Sequence, residues 1–392
     1  MKSPIKNLVK KWHWLRTQAG FQTAPVLTIF RFISWVTRCA LRKGAIVKLG
    51  RWNLSMFLPA RWKGIEKLIF VFRENYESEL SYLESALSRG KTFVDVGANL
   101  GIYALVASRI VGQSGRVIAF EPSVQSFPRL KQNIALNGIT NVMALPAAVS
   151  DKTGRAWLYH GPDASQNSLG RNPFLEQKAE EIVTESLDNA LRQALVEHVD
   201  VMKMDVEGAE ELVLCGANRV VTSLRPTIIF EINPQASMRL GLSPRGAWDL
   251  LDSLGYDFFV SGPDGSLSKA TSPPMNRNVV AVPGNSSTTT IFGTRAHREH
   301  SRNVVVKPHT RMPTENDSEY FSPELGGSAP YGLRAVKRRI ENIGGLLQKS
   351  GFATVEHLRY ATGRTAAIRF LNERLRLLES FKITARRDSG EM

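Results

Sequence analysis

Between residues 92 and 260 the sequence alternates short apolar segments with longer amphipathic segments. The apolar segments have the length and composition of strands, and the amphipathic segments have helical spacing. Strands that alternate with helices form parallel βαβ units, and such units build a doubly wound sheet. The predicted strands are 92–96, 116–120, 142–149, 199–204, 227–232 and 256–260, and the predicted helices are 101–111, 124–136 and 244–254. The fold class is therefore α/β.

Polar residues follow the predicted strands, at the sheet edge where ligands bind in this architecture. Asp95 begins a D-x-G-x-N-x-G loop (95–101) that leads into a helix. Its glycines let the backbone approach a ligand closely, although their spacing is neither that of a dinucleotide fingerprint nor that of a P-loop. Glu121 lies twenty residues after Gly101, where a carboxylate can accept both hydroxyl protons of a ribose. Loop and acid together predict a nucleoside-containing ligand.

With these motifs the sequence resembles S-adenosylmethionine-dependent methyltransferases and, among them, the FkbM family. The motifs are TFVDVGANLGIYAL (92–105), VIAFEPS (117–123), NIALNG (133–138), AAVSD (147–151), VDVMKMDVEGAE (199–210) and PTIIFEIN (226–233). The resemblance covers roughly residues 75–285. It implies a Rossmann-like class I methyltransferase fold, with a mostly parallel seven-stranded sheet whose last strand, expected at 278–282, is antiparallel. It also implies methyl transfer to an oxygen, usually a hydroxyl of a sugar or small metabolite.

The resemblance also implies which residues hold the cofactor, S-adenosylmethionine. They are Asp95, Gly97, Asn99 and Gly101 around the methionine part and the sugar, Glu121 at the ribose hydroxyls, and Ser150 and Asp151 at the adenine. Ser150 and Asp151 receive this role because they directly follow the predicted third strand. Asn and Asp also form turns well, so turn formation is the alternative explanation for Asn99 and Asp151.

Carboxylates after the fourth and fifth strands are the candidate catalytic groups. Transfer to a neutral hydroxyl needs alignment of the reacting atoms and is helped by a base. Asp205, Glu207 and Glu231 fit that role by position. Glu207 and Glu210 have the alternative role of first-turn residues that complement a helix N-terminus. Paired acids can bind a divalent metal, but nothing in this spacing demands one, and no metal is expected.

Histidines and cysteines add little chemistry to this prediction. His160, in a predicted inserted strand, is a further candidate base. His297 and His300 form an H-x-x-H pair without an evident third ligand, so we interpret that pair as incidental. Cys39 and Cys215 are the two cysteines of the sequence and do not form a CxxC pair, which excludes a disulfide scaffold and a cysteine-ligated zinc site.

Charge is distributed unevenly along the chain. Residues 1–70 hold 14 Lys and Arg against a single acid, residues 71–294 hold 19 against 24, and residues 295–392 hold 18 against 11. Basic ends suggest an anionic partner, either a lipid surface or nucleic acid. Five of the seven tryptophans lie in the first 62 residues, and Trp with Arg favours the headgroup zone of a bilayer. Residues 1–70 therefore either bind an anionic membrane surface or form a basic helical extension packed on the main domain.

The predicted organisation has four parts. A basic amphipathic N-terminal extension (1–74) precedes the methyltransferase domain (75–285), and a flexible linker rich in Gly, Pro, Ser and Thr (286–331) precedes a basic helical C-terminal extension (332–392). The resemblance does not reach the last part, to which no function is assigned. The expected location is the cytoplasm, with peripheral binding to the cytoplasmic face of the membrane if the lipid interpretation holds.

Two competing functions remain beside transfer to a hydroxylated small-molecule or glycan acceptor. The first is a nucleic-acid or other N-methyltransferase, but nucleic-acid enzymes of that kind resemble one another in an N/D-P-P-Y/F motif after the fourth strand. This chain has Asp-Val-Glu-Gly at that position (205–208), so nucleic acid is not the expected acceptor. The second is a non-catalytic S-adenosylmethionine-binding interaction module, against which the intact loop and the acids argue. The sequence does not specify the oligomeric state.

Overall fold

The computed structural model describes residues 18–284. The predicted linker 286–331, the predicted extension 332–392 and the His297 and His300 pair lie outside the described residues. The strands are β1 Ala45–Leu49, β2 Leu54–Leu58, β3 Thr92–Val96, β4 Arg116–Phe120, β5 Val142–Leu145, β6 Ala148–Val149, β7 Gly154–Tyr159, β8 Ala179–Glu185, β9 Val201–Met204, β10 Thr227–Ile232, β11 Tyr256–Ser261, β12 Leu267–Lys269 and β13 Arg277–Pro283. The helices are α1 Ala19–Thr23, α2 Pro25–Ala40, α3 Ile65–Phe72, α4 Glu79–Ala86, α5 Ile102–Val111, α6 Phe127–Leu136, α7 Leu187–Gln193, α8 Glu210–Cys215, α9 Pro234–Arg239 and α10 Gly246–Ser253.

The central sheet has the strand order β12-β11-β13-β10-β9-β3-β4-β5. Strands β10, β9, β3, β4 and β5 are parallel to one another. Strand β13 lies between β10 and β11 and runs antiparallel to both. The α/β class I methyltransferase fold with an antiparallel last strand is thereby confirmed. The sheet differs from the predicted seven strands by the short edge strand β12, which forms a hairpin with β11.

Apolar side chains cover both faces of this sheet, as a doubly wound fold requires. One core contains Phe93 and Val201 together with helix α5 and the N-terminal elements. The other contains Val94 and Met202 together with helices α7, α8 and α10. Residues two positions apart in a strand share a face, so the side chains of Asp95 and Lys203 lie on the first face, above Phe93 and Val201.

The predicted third strand, 142–149, is wrong in extent. It ends at Leu145, and Pro146 separates it from β6. A proline lacks the N–H that a strand ladder needs, so it separates two strands here. Strand β6 instead joins a second sheet of order β6-β8-β7, in which β7 is the predicted inserted strand. This sheet forms one side of the cleft described below.

The described N-terminal residues, 18–74, pack on the methyltransferase core and are called the N-terminal segment. Trp35 is 1% exposed and belongs to the same apolar core as Phe93. The guanidinium of Arg31 donates to the carbonyl of Val71 at 3.3 Å, and that of Arg38 donates to the carbonyl of Gly44 at 3.0 Å. These contacts favour the packed basic extension over a segment that lies free for lipid.

The membrane interpretation stays a prediction. Of the five N-terminal tryptophans that motivated it, Trp35 and Trp52 are buried and Trp62 is 42% exposed. Trp12 and Trp14 lie outside the described residues. Within residues 18–284 we find no helix with the length and apolar character needed to cross a bilayer.

Candidate active site

A cleft of about 860 Å³, counted with its open mouth, lies at the carboxyl ends of β3, β4 and β9. Its walls come from four places in the chain: the N-terminal segment with the residues that follow it, the loops after β3 and β4, the second sheet, and the end of β9. The lining includes Glu77, Asp95, Gly97, Asn99, Tyr103, Glu121, Ala147, Ala148, Val149, Lys203 and Asp205. The position agrees with the rule that ligands of such sheets bind beyond the strand ends.

The loop after β3 offers unsatisfied acceptors to a ligand. Gly97 has φ +83°, and a Cβ added there would lie 2.1 Å from the carbonyl oxygen of Asp205, so this position requires glycine. Among the described residues, neither the carboxylate oxygens of Asp95 nor Oδ1 of Asn99 finds a hydrogen-bond partner, although all are buried. Burial raises the pKa of Asp95 to about 6. Buried acceptors without partners are costly, which indicates that a ligand donates to them.

Glu121 stands at the end of β4 with its carboxylate held by backbone amides. Its Oε2 accepts from the amide of Asn99 at 2.8 Å, and its Oε1 accepts from the amide of Ser123 at 2.9 Å. Burial raises the pKa of Glu121 to about 7, and the two amide hydrogen bonds oppose that rise. Each carboxylate oxygen can accept a second hydrogen bond. The geometry suits the two adjacent hydroxyls of a ribose.

Ser150 and Asp151 do not line the cleft. The hydroxyl of Ser150 donates to Asp151 at 3.0 Å, and the Asp151 side chain is exposed. The adenine role of Ser150 and Asp151 stays a prediction, and the strand that precedes them is β6 of the second sheet rather than β5. The residues that line the cleft at this point are Ala147, Ala148 and Val149. Apolar surface of this kind suits the flat face of a purine.

Three carboxylates meet beyond the ends of β9 and β10. Asp205, Glu207 and Glu231 each place one oxygen within 4.8 Å of the others. Glu207 has φ +52°, a left-handed conformation that costs a non-glycine residue energy and clusters at functional sites. Burial, then the neighbouring Asp205 and Glu231, raises the pKa of Glu207 to about 9. Burial likewise raises the pKa of Glu231 to about 7.

The structure distinguishes the two roles considered for Glu207 and Glu210, catalysis and stabilisation of a helix start. Glu210 is the first residue of α8, and its Oε1 accepts from the amides of Val206 at 3.1 Å and Gly208 at 3.4 Å. Glu210 thus fits the role of holding the loop and helix start. Glu207 lies outside the helix, and its Oε2 accepts from the side-chain amide of Asn233 at 3.4 Å. Glu207 therefore belongs with the candidate catalytic acids.

The trio of Asp205, Glu207 and Glu231 also has a spacing that a divalent cation can use, since carboxylate oxygens are its preferred ligands. The sequence predicted no metal, and that expectation stays a prediction. His160, the other candidate base, does not line the cleft. Its Nε2 lies 3.6 Å from Oε1 of Glu180 on the neighbouring strand β8.

Sequence reasoning missed a group of buried polar side chains beside Asp95. The hydroxyl of Tyr103 donates to Oε2 of Glu77 at 2.5 Å. The Nζ of Lys203 lies 3.0 Å from Oδ2 of Asp205 and 4.5 Å from the ring centre of Tyr103. A lysine inside the apolar strand sequence VMKM was the available signal for Lys203. No pattern marks Glu77, because it precedes the motif-bearing region.

Comparison with known proteins shows which family this part of the chain is similar to. Residues 95–258 match the family described as the methyltransferase FkbM domain. Methyltransferase sdnD of Sordaria araneosa is 25% identical over 218 residues, which cover 48% of this chain and 82% of that protein. Hexuronic acid methyltransferase AglP of Haloferax volcanii is 28% identical over 157 residues, which cover 40% of this chain and 59% of that protein.

Among solved structures, a methyltransferase FkbM from Methylobacillus flagellatus aligns with 64% of this chain and 59% of its own chain. The sequence identity is 16% and the TM-score is 0.34. Fibrillarin from Aeropyrum pernix, whose structure contains natively bound S-adenosyl-L-methionine, aligns with 52% of this chain and 74% of its own. Its identity is 16% and its TM-score is 0.30.

Proposed function

Because residues 95–258 of this chain are an FkbM methyltransferase domain, we propose that the protein transfers a methyl group from S-adenosylmethionine to a hydroxyl of a saccharide or similar small molecule. One observation carries the proposal. The cleft contains a nucleoside-binding part, made of Asp95, Asn99 and Glu121, and it also contains Asp205. Glu207 and Glu231 do not line the cleft themselves, but each places a carboxylate oxygen within 4.8 Å of one of Asp205. Methyl transfer to oxygen needs both parts side by side.

The residues of the cleft fit S-adenosylmethionine. Glu121 would accept hydrogen bonds from the ribose hydroxyls, the unpartnered oxygens of Asp95 would accept hydrogen bonds from the ammonium of the methionine part, and Ala147 to Val149 would lie against the adenine. Gly97 leaves room for the ligand and for the close approach of the β9 loop. When bound, the sulfonium supplies a methyl group that is already electrophilic, so the protein has to align the acceptor and remove its proton.

The carboxylate cluster supplies these two actions. A pKa of about 7 makes Glu231 a suitable general base at neutral pH, because a base works best when its pKa lies near the working pH. A pKa of about 9 keeps Glu207 protonated, so Glu207 donates a hydrogen bond that orients the acceptor oxygen. Asp205, held by Lys203, is the second candidate base. Carboxylates that accept hydroxyl protons also suit a polyhydroxylated acceptor.

The relative AglP supports a sugar-like acceptor, because its name describes methylation of a hexuronic acid. A hexuronic acid offers both hydroxyls and a carboxyl group, and the product distinguishes them. A methyl ether on a hydroxyl survives mild alkali, whereas a methyl ester on a carboxyl group is hydrolysed. We expect the alkali-stable ether from this protein.

The test uses isotope-labelled S-adenosylmethionine and a panel of glucuronic acid, methyl glucoside and a short oligonucleotide. Alkali-stable label in a sugar supports the proposal. Label in the oligonucleotide, or label in the sugar that is lost in alkali, contradicts it. The same assay after treatment with EDTA, with and without added Mg²⁺, tests the carboxylate trio as a metal site. Activity that survives chelation confirms the expectation of no metal.

A further inference from the structure

The cleft is acidic apart from one lysine. Among the described residues that line it, Glu77, Asp95, Glu121 and Asp205 are acids, and Lys203 alone carries a formal positive charge. Lys203 is 3% exposed and rises from the middle of the sheet. Burying an ammonium is costly unless it is paired and hydrogen-bonded, so the partners of Lys203 indicate its role.

The described partners of Lys203 leave part of its hydrogen-bonding capacity free. Its Nζ donates to Oδ2 of Asp205 at 3.0 Å, and it lies 4.5 Å from the centre of the Tyr103 ring. An ammonium has three N–H donors, of which Asp205 accepts one and the ring faces another. The remaining donor is available to an acceptor that enters the cleft.

Asp95 and Lys203 are neighbours across two parallel strands. They are paired in the register of β3 and β9, and adjacent strands lie about 4.8 Å apart. Both side chains rise on the same face. The Asp95 carboxylate is buried and has no hydrogen-bond partner among the described residues. The sheet therefore places side by side an anion without a hydrogen-bond partner and a cation with a spare donor, and Lys203 also attracts Asp95 and Glu77 electrostatically.

This pair is complementary to the charged end of an amino acid, which carries an ammonium and a carboxylate on one carbon. We propose that Lys203 binds the carboxylate of the methionine part of the cofactor while Asp95 binds its ammonium. The inference rests on the proposed function, because it concerns the same cofactor site. It assigns Lys203 to cofactor recognition, with Asp205 holding its ammonium in place.

The proposal predicts which nucleosides the cleft distinguishes. S-adenosylhomocysteine carries the amino-acid end, and 5′-methylthioadenosine has the same nucleoside and a thioether without it. In isothermal titration calorimetry, Lys203→Met should raise the Kd for S-adenosylhomocysteine at least about tenfold, which is the scale of one charge-assisted hydrogen bond. Its affinity for 5′-methylthioadenosine should change less than about twofold on the same scale. Lys203→Arg should retain much of the wild-type preference.

Lys269→Met is the matched control, since Lys269 forms a 3.0 Å ion pair with Asp257 outside the cleft. It should change neither affinity. Equal weakening of both nucleosides in Lys203→Met would show that Lys203 only maintains the structure, and unchanged affinities would likewise overturn the proposal.

If the Lys203→Met variant does not fold, ligand binding by the wild-type protein still tests the proposal. Decarboxylated S-adenosylhomocysteine lacks only the carboxylate, so it should bind at least about tenfold more weakly than the parent compound. Equal affinity overturns the assignment of Lys203. A wild-type protein that binds 5′-methylthioadenosine and S-adenosylhomocysteine not at all contradicts the proposed function itself, which separates the two failures.

Discussion

Charged side chains of the cleft and of the N-terminal segment differ in whether the protein itself provides their hydrogen-bond partners. In the cleft, Asp95 is buried and keeps both oxygens without a hydrogen-bond partner in the described chain. In the N-terminal segment, Arg31 and Arg38 are satisfied by the protein itself, because their guanidinium groups donate to the carbonyls of Val71 and Gly44. A charge that is already satisfied by packing indicates stability, whereas a buried charge without a partner indicates a ligand.

The largest expected effect concerns catalysis at the cleft. Glu231→Gln preserves shape but removes the base, so turnover should fall about 10²–10⁴-fold while affinity for S-adenosylhomocysteine stays within about threefold. Asp205→Asn should lower turnover in the same way if Asp205 is the base, but it should also weaken the binding of S-adenosylhomocysteine, because Asp205 holds the Lys203 ammonium at 3.0 Å. Asp151→Asn, an exposed acid outside the cleft, is the control and should keep normal turnover. The measurement is single-turnover transfer of labelled methyl. Normal turnover in both Glu231→Gln and Asp205→Asn would mean that the protein acts only by positioning the acceptor.

The next effect concerns the N-terminal segment and its packing. Trp35→Ala removes a side chain that is 1% exposed and stacks near Phe70, with ring centres 5.0 Å apart. Loss of a buried Trp costs about 3–5 kcal/mol of unfolding free energy, measured by urea denaturation. Trp62→Ala, at a site 42% exposed, is the matched control and should cost far less. Equal costs would contradict a packed N-terminal segment.

A smaller effect separates the cofactor residues of the cleft from Asp151, which does not line it. Glu121→Ala removes two hydrogen bonds to ribose hydroxyls, each worth about 1.5–3 kcal/mol at most, so the Kd for S-adenosylhomocysteine should rise tenfold or more on the order of that energy. Asp151→Ala should change this Kd less than about twofold on the same scale, because Asp151 does not line the cleft. Calorimetry measures both. A strong effect of Asp151→Ala would support the adenine role predicted for Asp151.

Sequence reasoning succeeded where a local pattern determines a local structure. The loop from Asp95 to Gly101 and Glu121 lie together at the ends of β3 and β4 as the pattern predicts, and the amide of Asn99 donates to Glu121 at 2.8 Å. Sequence reasoning failed at the extent of the third strand, because Pro146 ends β5 at Leu145 and the next strand, β6, belongs to the second sheet. A prediction from hydrophobic periodicity misses the end of a strand when apolar residues continue on both sides of it.

Contacts between distant parts of the chain were the other feature that could not be predicted from the sequence. The sequence showed that residues 1–70 are basic and rich in tryptophan, but charge and composition do not reveal which side chains find partners within the chain. Glu77 illustrates the same limit in the cleft. It lies before the recognisable motifs, and only the fold brings it within 2.5 Å of the hydroxyl of Tyr103 on α5.

The smallest predicted effect is the pH dependence of stability without ligand. Burial raises the pKa values of Glu77, Glu121 and Glu231 to about 7 and that of Asp95 to about 6. Because the folded values lie above the unfolded ones, near 4 to 4.5, the folded chain binds more protons between about pH 4.5 and pH 7. Stability therefore falls as pH rises through this window. In a buffer series from pH 5.5 to pH 8, the thermal midpoint should decrease as the pH rises. Glu121→Gln, which cannot ionise, should flatten the decrease, and a midpoint that rises with pH would contradict the raised pKa values of these buried acids.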